Sequence, residues 1–259
     1  MLRELTKEDW MKMLGIPQAR IPQALVMWGT RALKTRYAAM RERFTQVLDV
    51  RAPNGLLEDV LIGSLGDADV AYASVYGAPM ASEVVHVFGM LGTPLVIQIG
   101  TCGGFAEGLE AGGLFVPEEA YCGEGASQYY KTSGKTVAAT LTFADEAESC
   151  GCRIPLTTGR MYTTSALFAE SRDDIERWAQ QGFAAVDMET AATFSVAEHF
   201  GMDRGALLAV FDNPRGRNHI LSTESDKEAS RAAAQRAMVD IALAAIESRV
   251  QTGGEQGAA

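Results

Sequence analysis

Short runs that are apolar throughout alternate with longer amphipathic stretches from residue 24 to residue 250. Ala24–Trp28, Val70–Tyr76, Leu95–Ile99, Phe183–Val186 and Ala206–Phe211 carry almost no polar side chain, the pattern of strands buried on both faces. Between them the period changes. Ser82–Leu91 has apolar residues at 84, 85, 87, 88 and 91, which predicts a helix capped at Ser82 with one buried face. Ser171-Arg-Asp-Asp174 reads as a capping box, opening a helix that Gly182 ends. Met188–Phe200 is a helix of small residues stopped by Gly201, and a long helix is predicted from about Thr223 to Val250. The glycine-rich Gln251–Ala259 is expected to be a disordered tail. Such alternation predicts an α/β sheet with helices on both faces. No repeat or linker divides residues 1–250, so one domain is expected there.

Composition removes several function classes. The chain has 259 residues, 47% hydrophobic and 22% charged, with a net charge of −10. That excess of acid argues against broad binding to nucleic acid or to anionic lipid, while leaving room for a small anionic substrate in a local basic pocket. No apolar run approaches the length of a membrane span. Charges interrupt Met1–Trp10, which lacks a signal-peptide core, and a cytoplasmic protein is expected. The four cysteines (102, 122, 150 and 152) and three histidines form no metal-ligand pattern, so reduced thiols and no metal are expected.

Candidate chemistry gathers at three strand ends: Gly100–Gly104, Asp187-Met-Glu189 and Asp212-Asn213. Ligands of open α/β sheets bind at the carboxyl ends of strands, so these segments are candidates for one site. A glycine-rich turn offers backbone N–H groups to an anion. Glu189 suits hydroxyl recognition, and equally a favourable first-turn acid. Asp212 follows an apolar run, where desolvation raises a carboxyl pKa and makes a proton donor; turn formation by Asp-Asn-Pro is the alternative.

Ile-Gly-Thr-Cys-Gly-Gly-Phe at 99–105 and Val-Asp-Met-Glu-Thr-Ala-Ala at 186–192 resemble the two signature segments of the nucleoside phosphorylase family. That family includes purine nucleoside phosphorylase, uridine phosphorylase and methylthioadenosine/adenosylhomocysteine nucleosidase. The resemblance spans about residues 20–248. It implies a three-layer α/β/α fold around a central twisted mixed sheet, and a homodimer or hexamer with shared active sites. It implies cleavage of the N-glycosidic bond of a nucleoside by phosphate, giving free base and ribose 1-phosphate, with no cofactor beyond phosphate as co-substrate. Residue by residue it implies that Met188, Glu189 and Thr101 hold the ribose. Phe168 and Gly103 would face the base. Asp212 would be the catalytic acid at purine N7, which tilts the expectation toward purines.

The phosphate end departs from the family pattern. Where phosphorylases carry Gly-Asp-Pro-x-Arg, this chain reads Trp28-Gly-Thr-Arg31, and Gln98 stands where they carry arginine. An amide offers two N–H donors in place of a cationic fork. The expected phosphate ligands are therefore Gln98, Gly100 and Thr101, with Arg31 as the compensating cation and Arg51 donated by a neighbouring subunit. Lys34 and Arg36 read as solvated helix-face charges. His86 reads as a packed core residue, His199 as a helix-end residue, and His219 as a loop residue near the site. Uridine phosphorolysis, hydrolysis with water oriented by Gln98, and nucleoside binding without turnover stay open as alternatives.

Overall fold

The computed structural model describes residues 1–131, 133–216, 220–221 and 225–256. In chain order the elements are α1 (Lys7–Leu14), β1 (Ala24–Gly29), α2 (Leu33–Arg41), β2 (Thr45–Val50), β3 (Val60–Leu65), β4 (Ala68–Val75), α3 (Gly77–Leu91), β5 (Leu95–Gly104), β6 (Leu114–Cys122), β7 (Thr136–Ala138), α4 (Ala144–Ser149), β8 (Leu156–Thr163), α5 (Arg172–Gln180), β9 (Phe183–Asp187), α6 (Thr190–His199), β10 (Asp203–Asp212) and α7 (Ser225–Gln256).

All ten strands belong to one twisted mixed sheet. Strand β5 organises it. Along one side β5 pairs in parallel with β1, and along the other with β10. Its last two residues, Gly103 and Gly104, pair antiparallel with Val186 and Ala185 of β9. The pairings β10–β6, β6–β8 and β8–β9 then close a ring of five strands. From β5 the sheet also extends outward through β1, β4, β3 and β2.

Helices cover both faces, the layered arrangement that the sequence resemblance implies. Ala24, Val26 and Trp28 of β1 pack toward α2 and α7, while Leu25 and Met27 pack toward α1, α3 and α6. Two-sided burial is why β1 reads as an unbroken apolar run. A third core, around Phe115, Met161, Phe194 and Leu208, fills the ring.

Three boundaries differ from the sequence expectation. Helix α3 begins at Gly77, not at Ser82, because a proline at the third position is compatible with a first helical turn. Ser82 lies inside the helix and donates its hydroxyl to the Pro79 carbonyl at 2.7 Å. The segment Gly100–Gly104 is not a turn: β5 runs straight through it. These glycines serve close approach, since a Cβ at Gly100 would lie 2.9 Å from the Gly29 carbonyl oxygen. Helix α7 continues to Gln256, beyond the expected end at Val250. The capping box is present at α5, where Ser171 Oγ accepts from the Asp174 N–H at 3.1 Å and Asp174 accepts from the Ser171 N–H at 3.0 Å.

Candidate active site

The site is built around the junction of β9 and α6. Asp187 ends β9 with its side chain buried, and the chain turns there to place N–H groups around it. Asp187 Oδ2 accepts from the Thr190 N–H at 2.8 Å, the Thr190 hydroxyl at 2.6 Å and the Glu189 N–H at 3.2 Å. Its Oδ1 accepts from the Thr163 hydroxyl at 2.7 Å, and Thr163 in turn accepts from the Ala191 N–H at 3.0 Å. Together these caps satisfy the N–H groups that open α6. They also fix the backbone of Met188 and Glu189.

Glu189 projects from this capped turn to the first residue of α3, where its Oε1 accepts from the Gly77 N–H at 2.7 Å. A Cβ at Gly29 would meet Glu189 Oε2 at 2.8 Å, so glycine at the end of β1 is what admits the carboxyl. Burial raises the Glu189 pKa most, and the Asp187 charge adds to it; the Gly77 and Met188 N–H groups and Arg31 act in the opposite sense. Desolvation raises Asp187 as well, against its many donors.

A cavity of ≈ 330 Å³ opens over Glu189. The three strand ends do converge on it: Thr101 and Gly103 from β5, Met188 and Glu189 from the β9–α6 turn, and Asp212 from the end of β10. Asp212 is 9% exposed, and its Oδ1 lies 3.2 Å from where a Gly103 Cβ would stand. Thr30, Arg31 and Tyr76 form another wall. The Arg31 guanidinium lies 4.5 Å from the centre of the Tyr76 ring, an arrangement that holds a cation at the rim. Among the described residues, no three His, Cys, Asp or Glu side chains are placed to hold a metal ion. No described helix is long and apolar enough to cross a membrane.

The sequence profile of the Phosphorylase superfamily matches residues 32–247. The chain belongs to this superfamily. A DeoD-type purine nucleoside phosphorylase of Bacillus cereus (strain B4264) is 25% identical over 240 residues, covering 89% of this chain and 96% of the relative. Among solved structures, uridine phosphorylase from Vibrio fischeri ES114 superposes with a TM-score of 0.73 at 18% identity, covering 90% of this chain and 94% of that one. The 5′-methylthioadenosine/S-adenosylhomocysteine nucleosidase from Neisseria meningitidis gives a TM-score of 0.67 at 15% identity, covering 87% and 99%. These structures share the fold. Their names divide between phosphorylases and a nucleosidase.

Within this superfamily member, several expected phosphate and base residues stand apart from the cavity. Gln98 is fully buried and donates its amide to Asp187 Oδ2 at 3.1 Å and to the Thr190 hydroxyl at 3.0 Å. Strand parity explains the correction. Ile97 and Ile99 face the α7 side, so Gln98 faces the opposite layer, beneath the start of α6. The Gly100 N–H points at Met238 Sδ, 3.4 Å away on α7. Arg51 lies outside this cavity, beside a different concavity lined by Tyr37, Arg41 and Asp49. Phe168 is 80% exposed on a 3₁₀ turn at Leu167–Ala169 and lines a shallower hollow next to Arg31 and Met188. His86 bonds the Tyr130 hydroxyl through Nδ1 at 3.1 Å, and with His199 it packs on Phe200, away from the site. His219 and Arg217 lie outside the described residues.

Arg36 and Glu170 are charged lining residues that were not expected in the site. Arg36 reaches the cavity from α2, with its guanidinium 4.6 Å from the Trp28 ring and bonded to Gln235 Oε1 at 2.6 Å. Its Nε is buried without a partner among the described residues. Lys34 and Arg36 look alike in sequence, and only the turn after β1 decides which one points inward. Glu170 enters the cavity from just before α5, and its Oε1 is likewise buried without a partner among the described residues. Burial, then Asp212, then Asp174 push its pKa up to about 7. Its signal in the sequence was slight: one acid in a charged stretch, directly ahead of a capping box.

Proposed function

We propose that the chain is a nucleoside phosphorylase, cleaving the N-glycosidic bond of a purine nucleoside with phosphate to give free base and ribose 1-phosphate. The observation that carries this reading is that one cavity brings guanidinium groups, hydroxyls and carboxyls together. Arg31 and Arg36 supply two guanidinium groups to the same space that Thr30 and Thr101 line with hydroxyls, while Asp212 stands at the end of another strand. Guanidinium groups with hydroxyls suit a phosphate. An acid suits a leaving base.

In this reading Glu189 and Met188 hold the ribose. One phosphate oxygen forms a bond to C1′ as the C1′–N bond breaks, through an oxocarbenium-like sugar. The electrons of the broken bond pass to the base, and Asp212 delivers a proton to purine N7. Such general-acid assistance contributes about 10²–10⁴-fold. The reaction needs no cofactor, and the assembly is a homodimer or hexamer in which Arg51 serves the neighbouring copy's cavity.

Hydrolysis is the second reading, supported by the position of Gln98. With Gln98 turned toward Asp187, β5 contributes no phosphate-binding side chain of the usual kind. A carboxyl whose pKa is raised, as that of Glu189 is, is a stronger base for activating water. One experiment separates the two. Base release from inosine, guanosine, adenosine and uridine is followed with phosphate present and after its rigorous removal. Phosphorolysis requires that release stops without phosphate and that ribose 1-phosphate accumulates with it. Release at an unchanged rate without phosphate selects hydrolysis instead.

A further inference from the structure

We propose that the chain carries a second ligand site, remote from the cavity over Glu189, which takes a planar aromatic carboxylate bearing a ring N–H. Binding there does not depend on the reaction proposed above. The site is a cavity of ≈ 410 Å³ between the N-terminal segment and the outer side of α3, with the end of α6 as a further wall. It shares no lining residue with the cavity over Glu189.

Rings make up much of its wall. His86 meets Tyr130 and Phe200 edge-on, with ring centres 5.9 and 5.1 Å apart, and Tyr130 meets His199 edge-on at 5.6 Å. Rings fixed in this way favour a flat aromatic guest over a flexible chain. At the rim, Leu2, Leu56 and Tyr129 are exposed large apolar side chains, which such a guest covers.

The polar groups specify the rest. Trp10 is 5% exposed, and its Nε1–H is buried without an acceptor among the described residues. A donor in that state is costly until something accepts from it. Arg3 lines the same cavity and has no ion-pair partner among the described residues. A carboxylate answers both, pairing with the guanidinium and accepting from the indole. The 3₁₀ turn at Leu2–Glu4 buries none of its residues, so a small shift of that rim opens the indole to a guest. Glu83 on α3 supplies an acceptor for a ligand N–H. His86 adds no charge near pH 7, because burial, then His199 and Arg3, lower its pKa.

The test is calorimetric titration of the full chain with indole-3-acetate and with indole-3-acetamide, an uncharged molecule of the same shape. The unaltered protein should bind the acid about 10-fold more tightly than the amide. Arg3 is exposed, so Arg3→Gln spares the fold, and it should remove that preference while holding the affinity for the amide. Trp10→Phe keeps a ring but loses the N–H, and should weaken the acid about 3- to 10-fold. Glu189→Gln alters the other cavity and should bind both probes as the unaltered protein does. Equal affinity for acid and amide, an Arg3→Gln variant that keeps the preference, undiminished binding of the acid by Trp10→Phe, or loss of binding in Glu189→Gln overturns the proposal. So does an unaltered protein that binds neither probe, the result expected if a second copy of the chain covers this face.

Discussion

Asp187 and Glu170 are both carboxyls whose pKa is raised chiefly by burial, but they are surrounded in opposite ways. Around Asp187, backbone N–H groups of Glu189 and Thr190 and side chains of Gln98, Thr163 and Thr190 all donate. Both of its oxygens are thus bonded within the protein, although the residue lines the cavity. Glu170 is less deeply placed, and it keeps an oxygen free of any donor among the described residues. A buried polar group saturated by the protein holds the fold; one left wanting is where a ligand completes the set. Gln98 shares both traits: its amide nitrogen is engaged by Asp187 and Thr190, while its Oε1 is buried without a partner among the described residues.

The contrast is easiest to break at Asp187. Replacing it by alanine strands two hydroxyls, an amide and the first N–H groups of α6, and should cost about 3 kcal/mol or more of stability by urea unfolding. A loss below about 1 kcal/mol would show that water replaces the carboxylate and that the network is not structural. Gln98→Leu is a milder probe of the same network. It should cost about 1–2 kcal/mol while leaving the KM for phosphate unchanged, because the amide does not reach the cavity. A large rise in that KM would return Gln98 to the phosphate site.

At Glu170 the effect on stability depends on pH. A carboxyl raised from 4.5 to about 7 by folding supports the fold below the lower value and loses that support as pH rises through about 7. Glu170→Gln, which cannot ionise, should therefore gain in stability relative to the unaltered protein between about pH 5 and pH 8. Urea midpoints at the two pH values check this. A variant that falls further behind at about pH 8 would mean that the ionised carboxyl has protein donors after all.

Much of the scaffold was readable from periodicity and caps. The apolar run of β1, the box at Ser171 and the segment Val186–Ala192 all carry local signals, and the structure answers each with the element expected. Legibility fell where a choice is made by tertiary packing. The alternation in β5 shows that Gln98 opposes Ile97 and Ile99, but not which layer holds the ligand. Lys34 and Arg36 differ by half a helical turn, and the direction of α2 decides between them. Strand β2 is mostly exposed and β3 contains a glycine, so neither stands out as apolar. The start of α3 was hidden because its first N–H is bonded by Glu189, 112 residues away in the chain, and not by a local cap.

The ring closed by β5 has a consequence for how the molecule behaves in a crowded solution. Among the described residues, β2 and β7 are the strands that pair with a single neighbour. An open flank is a template for another chain's backbone. Here β7 is three residues long, and β2 is a poor template for a straight strand. Its register shifts between Thr45 and Leu48, Gln46 takes a φ of 47°, and Asp49 is engaged by Tyr37 and Arg41. Both features make these two margins poor templates for another chain's backbone.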